Sequence, residues 1–230
     1  MGAKDEVFSY VMNTPQDTNP AVLRSLLNDI EEGGGGGDTN FKEFCAGTLT
    51  QINSEDVTYV KDSCFKDDTN LISVNLPNAV EIGESSFQAC KNITSIDFSS
   101  LEEWGTSAFS GCTSLTSLEF PKLESISTAM FAGCENVETA DFEVATAIQP
   151  SAFSLCSKLD TLILRSPTLC ELLYGTTAAF GYTPFDESGT GGILYVPAAL
   201  IESYQAASGW STILGYANNQ ILAIEGSQYE

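Results

Sequence analysis

Four cysteines recur at one fixed spacing: Cys90, Cys112, Cys134 and Cys156, each 22 residues after the last. Thiols set in a column suggest a metal ladder or a redox relay. Structural zinc sites draw their sulfurs from closely spaced C-x-x-C pairs, and none occurs here. The seven cysteines are an odd number with four in one column, which is not a paired disulfide framework. The spacing favours a small, buried, apolar residue repeated at one structural position, and so many thiols suit a reducing or anaerobic setting. A second set keeps the same step: Asp97, Glu119 and Asp141, preceded at the matching place by Asn75. A file of carboxylates could receive a basic partner or a divalent cation, or could serve solubility alone.

The rest of the composition narrows the chemistry. The chain of 230 residues has no histidine, so a Ser-His-Asp or Cys-His mechanism cannot be assembled from it. It has no Gly-rich phosphate loop and no clustered general acid and base. Neither a catalytic set nor a cofactor or metal site is expected. Nine basic residues stand against 31 acidic ones, a formal net charge of −22. That balance argues against nucleic acid and against anionic lipid surfaces. No run of about 18 apolar residues could cross a membrane. The opening "MGAKDEVFSY" lacks the pattern of a secretory signal. A cytoplasmic or virion-associated chain is therefore expected in preference to a secreted or cell-surface one.

The elements that position these residues follow from the 22-residue period. Phenylalanine recurs at Phe65, Phe87, Phe109, Phe131 and Phe153. Further apolar columns are Leu71, Ile93, Leu115, Val137 and Leu159, then Val74, Ile96, Leu118, Ala140 and Leu162, then Leu76, Phe98, Phe120, Phe142 and Leu164. Another reads Val60, Ile82, Trp104, Ile126 and Ile148. Asp68 takes the cysteine place in the first row. The period-2 alternation closing each row predicts a short strand with its apolar side chains inward. One such row cannot bury its own apolar face, so the rows must stack into a solenoid with a parallel strand ladder. The side chains between the buried columns then point outward. They are Ser73, Ser95, Ser117, Thr139 and Thr161, and beside them Asn75, Asp97, Glu119, Asp141 and Ile163.

The rows "SSFQACKNITSIDF", "SAFSGCTSLTSLEFP", "AMFAGCENVETADF" and "SAFSLCSKLDTLIL" resemble the BspA-like class of leucine-rich repeats. The resemblance covers residues 41–168 and extends through end segments to about 224. It implies a β-rich α/β solenoid whose surface binds a protein partner.

The ends break the period. Residues 1–32 read as two short helices, the second starting with Asn19 as N-cap and Pro20 at its first position, with Val22, Leu23, Leu26, Leu27 and Ile30 on one face. They either fold back on the repeats or act as a separate docking or self-association element. Residues 33–40, with Gly33 to Gly37, form a linker. The solenoid is expected over 41–192 and a C-terminal cap over 193–230. In the cap, a strand leads to Pro197 at the first helical position and to a helix using Leu200, Ile201 and Tyr204. Gly209 stops that helix, and Trp210 packs beneath it. The segment "TNPAVLRSLLNDIEEGGGGG", followed by "FCAGTLTQI", is similar to the leaders of short repeat proteins from bacterial prophage regions, which implies a virion- or tail-associated protein. The expected function is a non-catalytic interaction scaffold whose protein partner, of basic character, meets the column Asn75, Asp97, Glu119 and Asp141. The alternative is an adhesin-type surface module that binds host or matrix protein.

Overall fold

The computed structural model describes residues 50–230 apart from 54, 56, 174–176, 188 and 217. The expected helices of residues 1–32, the 33–40 linker, Cys45 and the start of the first coil lie outside the described residues.

Each row of the sequence forms one coil with two short strands. The first strand of successive coils is β1 (Gln51–Asn53), β3 (Ser73–Asn75), β5 (Ser95–Asp97), β7 (Ser117–Phe120), β9 (Thr139–Phe142) and β11 (Thr161–Leu164). The second is β2 (Tyr59–Val60), β4 (Glu81–Ile82), β6 (Glu103–Trp104), β8 (Ser125–Ile126), β10 (Ala147–Ile148) and β12 (Glu171–Leu172). The pairings are parallel and keep the sequence period, as in Leu118 opposite Ala140 and Ile126 opposite Ile148, except that β12 pairs with β10 at a step of 24. The expected β-rich solenoid with a parallel ladder is present. The second ladder, built on the Val60 to Ile148 column, was not foreseen as strand.

The phenylalanine column is a continuous ring stack. Phe65 lies 5.2 Å from Phe87, and Phe87 5.2 Å from Phe109, with planes within 9°. The stack continues through Phe131 and Phe153 to Phe180, which meets Trp210 of the cap at 5.9 Å. Two residues per coil flank each phenylalanine with positive φ, for example Ser107 at 60° and Gly111 at 76°. Glycine adopts this conformation without steric cost. Serine does so at a penalty, offset here by bonds to the next coil. The N–H groups of Ser107, Phe109 and Gly111 donate to the carbonyls of Thr128, Met130 and Ala132 at 3.0, 3.0 and 2.7 Å.

The cysteine column lies inside the same turn. Cys90, Cys112, Cys134 and Cys156 are free thiols with no solvent exposure. Each donates from Sγ to the carbonyl of the phenylalanine in the preceding row, at 2.9 to 3.2 Å. Burial pushes the Cys90 and Cys156 thiols up to about 12, and those of Cys112 and Cys134 well above the ordinary range. Cysteine keeps this place because a small buried group that can donate one hydrogen bond fits there, and a thiolate does not.

Both ladders are interrupted at one level. Strands β1, β3 and β5 form one sheet and β7, β9 and β11 belong to another, while β2, β4 and β6 are likewise separate from β8, β10 and β12. The break falls beside Trp104, the indole in a column otherwise of Val and Ile. Trp104 packs edge-on against Phe109, Phe120 and Phe131. Its bulk accounts for the loss of strand pairing at this level. The Ser127 hydroxyl bridges the gap by donating to the Trp104 carbonyl at 3.1 Å, and the turn bonds around Phe109 run through it uninterrupted.

At the C-terminal end β13 (Ile193–Val196) pairs with β11, and β14 (Gln220–Ala223) pairs with β13, extending the ladder past the insertion in the sequence. Pro197 is the N-cap of a 3₁₀ turn at Ala198–Leu200 rather than the first helical residue. Helix α1 (Ile201–Ala206) ends because Ala207 is extended, so Gly209 does not stop it. Gly209, with φ of 86°, instead precedes a second helix, α2 (Trp210–Gly215). This turn carries Trp210 beneath the last coil as expected. Its Nε1 donates to the Cys170 carbonyl at 2.6 Å, and the Cys170 N–H donates to the Tyr204 hydroxyl at 3.0 Å. Two cap side chains thus satisfy backbone groups at the end of the stack.

Three outcomes test this packing. Phe109→Ala removes a ring held between two others and should cost about 3–5 kcal/mol in denaturant unfolding; a loss below about 1 kcal/mol would place Phe109 outside the core. Cys90, Cys112, Cys134 and Cys156 should resist a thiol reagent in the native chain and react on denaturation, and fast native labelling of all four would contradict the column. The third concerns Asp68, which is fully buried. Its Oδ1 accepts the N–H groups of Asn70 and Leu71 at 2.7 and 3.2 Å, while Oδ2 has no partner. Burial raises its pKa above 3.8, against the lowering effect of those two bonds. The stability linked to this group is therefore full below the unfolded value and is lost as pH rises through the folded one. Asp68→Asn keeps the Oδ1 acceptor and cannot ionise, so its Tm should exceed the parent's at pH 7, with the gap closing toward pH 3.5. Equal Tm values at pH 7 would show that the carboxylate is not strained there.

Candidate functional site

The strand alternation that buries Val74, Leu118, Ala140 and Leu162 turns the residues between them outward. By register, Asn53 faces Asn75 and Asn75 faces Asp97. After the break the column resumes with Glu119 opposite Asp141, Asp141 opposite Ile163, Ile163 opposite Tyr195, and Tyr195 opposite Leu222. Adjacent strands of a ladder stand about 4.8 Å apart, so the column is a strip graded from amide to carboxylate to apolar.

The proposed residues are brought to one face but not to one cluster. Asn75 is tied to its neighbour, its Nδ2 donating to Asn53 Oδ1 at 2.9 Å. Asp97 is exposed, and its Oδ1 accepts the N–H of Ser99 at 3.1 Å. It ends the first sheet, so the ladder break separates it from Glu119. Glu119 is exposed with Asp141 directly across. Asp141 is already engaged: Arg165 Nε and Nη2 donate to its two oxygens at 2.8 and 2.7 Å. The hydrogen bond to Asp141, with the fields of Asp141, Glu143 and Glu119, raises the Arg165 pKa against partial desolvation. The pair remains partly open to water, which holds its worth to about 1 kcal/mol.

Arg165, Tyr195 and Tyr229 were not foreseen as part of this face. Arg165 follows the strand at a place held in earlier rows by Pro77, Ser99, Pro121 and Glu143, so a lone cation in that column was its visible signal. Tyr195 was hidden by the insertion, which sets it 32 rather than 22 residues after Ile163. Tyr229 has no counterpart in any row. Among the described residues no group of three His, Cys, Asp or Glu is placed to hold a metal ion, and no helix is long and apolar enough to cross a membrane.

Comparison with known proteins agrees with this architecture. A BspA type leucine rich repeat region, in six copies, matches residues 37–165. A leucine-rich repeat protein from Eubacterium ventriosum has a similar structure, with a TM-score of 0.51 and 18% identity over 59% of this chain and 43% of that one. A leucine rich cell surface protein from Faecalibacterium prausnitzii gives a TM-score of 0.47 and 23% identity over 52% of this chain and 40% of that one. The chain thus spans less than half the length of either. No curated protein sequence matches it. With the repeat pattern running over more than half its length, the chain belongs to the BspA-type leucine-rich-repeat family.

Proposed function

We propose that the chain is a non-catalytic scaffold that binds a basic protein partner through the outward face of its strand ladder. The single observation that carries this reading is the exposure of Asp97 and Glu119 at outward strand positions, with Asp141 directly opposite Glu119 in register. Carboxylates about 5 Å apart cost little in water, yet their summed field steers a cation toward the face. The expectation extends to residues 1–32 as the element that docks the scaffold on a larger assembly. The similarity of that segment to prophage-encoded leaders supports a virion as the assembly. The division into helical pair, linker, solenoid over 41–192 and cap over 193–230 is part of the same reading.

The test uses the two carboxylates that carry no ion pair to Arg165. A partner captured on the immobilised chain should bind Asp97→Asn/Glu119→Gln roughly 30-fold more weakly if each lost contact is worth about 1 kcal/mol. The salt dependence of binding should flatten as well. Asp141→Asn is measured separately, because it also releases Arg165. Equal affinity and an equal salt slope for parent and double variant would move the binding face elsewhere.

A further inference from the structure

The outward column changes character beyond Asp141, where Ile163, Tyr195 and Leu222 replace the carboxylates. Leu222 is 39% exposed, as an outward residue should be, but Ile163 is only 1% exposed although its strand neighbours Leu162 and Leu164 take the core side. Something closes the face over Ile163. The segment that packs against its neighbours Arg165 and Tyr195 is 226–230. After Ile224 donates to the Val196 carbonyl, Gly226 takes φ of 78° and turns the chain back. The Tyr229 ring then meets Tyr195 at 4.8 Å and 66°. Arg165 Nη1 donates to the Tyr229 carbonyl at 2.7 Å, while its other nitrogens hold Asp141.

These contacts define a ligand chemistry. Arg165 reads a main-chain carbonyl, which every peptide has, and Tyr195 reads an aromatic ring. The segment presents both as a turn, in which the Tyr229 N–H donates to Ser227 Oγ at 3.1 Å and the Gly226 N–H to Glu230 Oε2 at 3.0 Å. We infer that the strand face from β9 to β13 docks a turned peptide segment with an aromatic side chain, and that residues 226–230, where the Ser227 N–H donates to the Ile224 carbonyl and the Tyr229 N–H to Ser227 Oγ, occupy it in cis. The inference rests on the strand face being the binding face, and it adds what the partner must carry. Three strand spacings, about 14 Å, separate Glu119 from Tyr195, the reach of about four extended residues. A partner that uses both places has a basic residue about four positions from its aromatic one.

The seated segment also sets the concentration scale. A short tether gives an effective concentration in the millimolar range. Residues 226–230 can occupy this face only if the free peptide binds with a Kd near or below that value. The probe is therefore the peptide Gly-Ser-Gln-Tyr-Glu, titrated to about 10 mM into full-length chain and followed by the NMR signals of the Arg165 Nε–H and the Tyr195 amide. In Tyr229→Ala, which removes the seated ring, both signals should shift saturably. In the parent the midpoint should move at least about tenfold higher, because the tethered copy competes. A peptide with alanine for tyrosine should leave the signals unmoved, and adding Arg165→Met to Tyr229→Ala should abolish the Tyr195 shift. Absence of a saturable shift in Tyr229→Ala, with its Tm near the parent's, overturns the inference, as do equal midpoints in the two chains. A longer peptide with lysine four positions from the tyrosine tests the underlying reading separately. It should bind Tyr229→Ala several-fold more tightly than the short peptide, and Glu119→Gln should erase that gain. If the short peptide binds and the gain is missing, the docking site stands and the acidic face falls.

Discussion

Everything in this fold depends on one constraint: no coil can satisfy itself. A row of 22 residues has one buried apolar edge and backbone groups on two sides, and both need a neighbour of the same shape at a fixed distance. Sequence period and structural period are therefore locked together. The ring stack, the thiol column and the positive-φ turns all express that lock. The N–H groups of Ser107, Phe109 and Gly111 reach forward to the next coil, while the thiol of Cys134 reaches back to the carbonyl of Phe109. A residue that fits its own row but not the next is costly at two levels. This is why positions whose side chains touch nothing outside the stack still repeat.

The same lock explains where the ladder gives. Trp104 is tolerated in a column of Val and Ile because its ring finds aromatic edges on three sides. Both strand ladders open at that level while the turns do not. The turns hold because their bonds surround the phenylalanine and cysteine columns, which keep their size through the break. The buried Trp104 Nε1 finds no acceptor there, a cost consistent with a site where packing outweighed hydrogen bonding. A functional consequence follows for the outward face. Asp97 and Glu119 are successive in the sequence period but belong to different sheets, so the acidic file is two short segments rather than one.

Legibility follows the period. Burial of the Phe, Leu and Cys columns, the parallel register and the outward place of Asn75, Asp97, Glu119 and Asp141 could all be read because each is a statement about one row multiplied. The second ladder was harder. Two-residue strands such as Glu81–Ile82 are too short for alternation to show. The cap was harder again, since Pro197 and Gly209 were read by local helix rules. What decided their roles was the need to bring Tyr204 and Trp210 onto the backbone of Cys170, a contact 34 to 40 residues distant in sequence.

The face itself shows why function is less legible than fold in such a protein. Outward residues are free to vary without disturbing the stack, so their pattern carries no redundancy against which to check a reading. Asp141 illustrates this: its column predicts an open carboxylate, but Arg165, two residues beyond the matching Ile163 in the next coil, takes both its oxygens. The pairing depends on a single departure from the repeat. The solenoid supplies a rigid ruler with marks about 4.8 Å apart, and the departures at Arg165, Tyr195 and Tyr229 write the chemistry on it. On the proposed reading, recognition is to be sought where the period fails on the outside while holding on the inside. That condition is met at β11 and β13, where Leu162 and Leu194 remain buried in register and Ile163 and Tyr195 replace the acids.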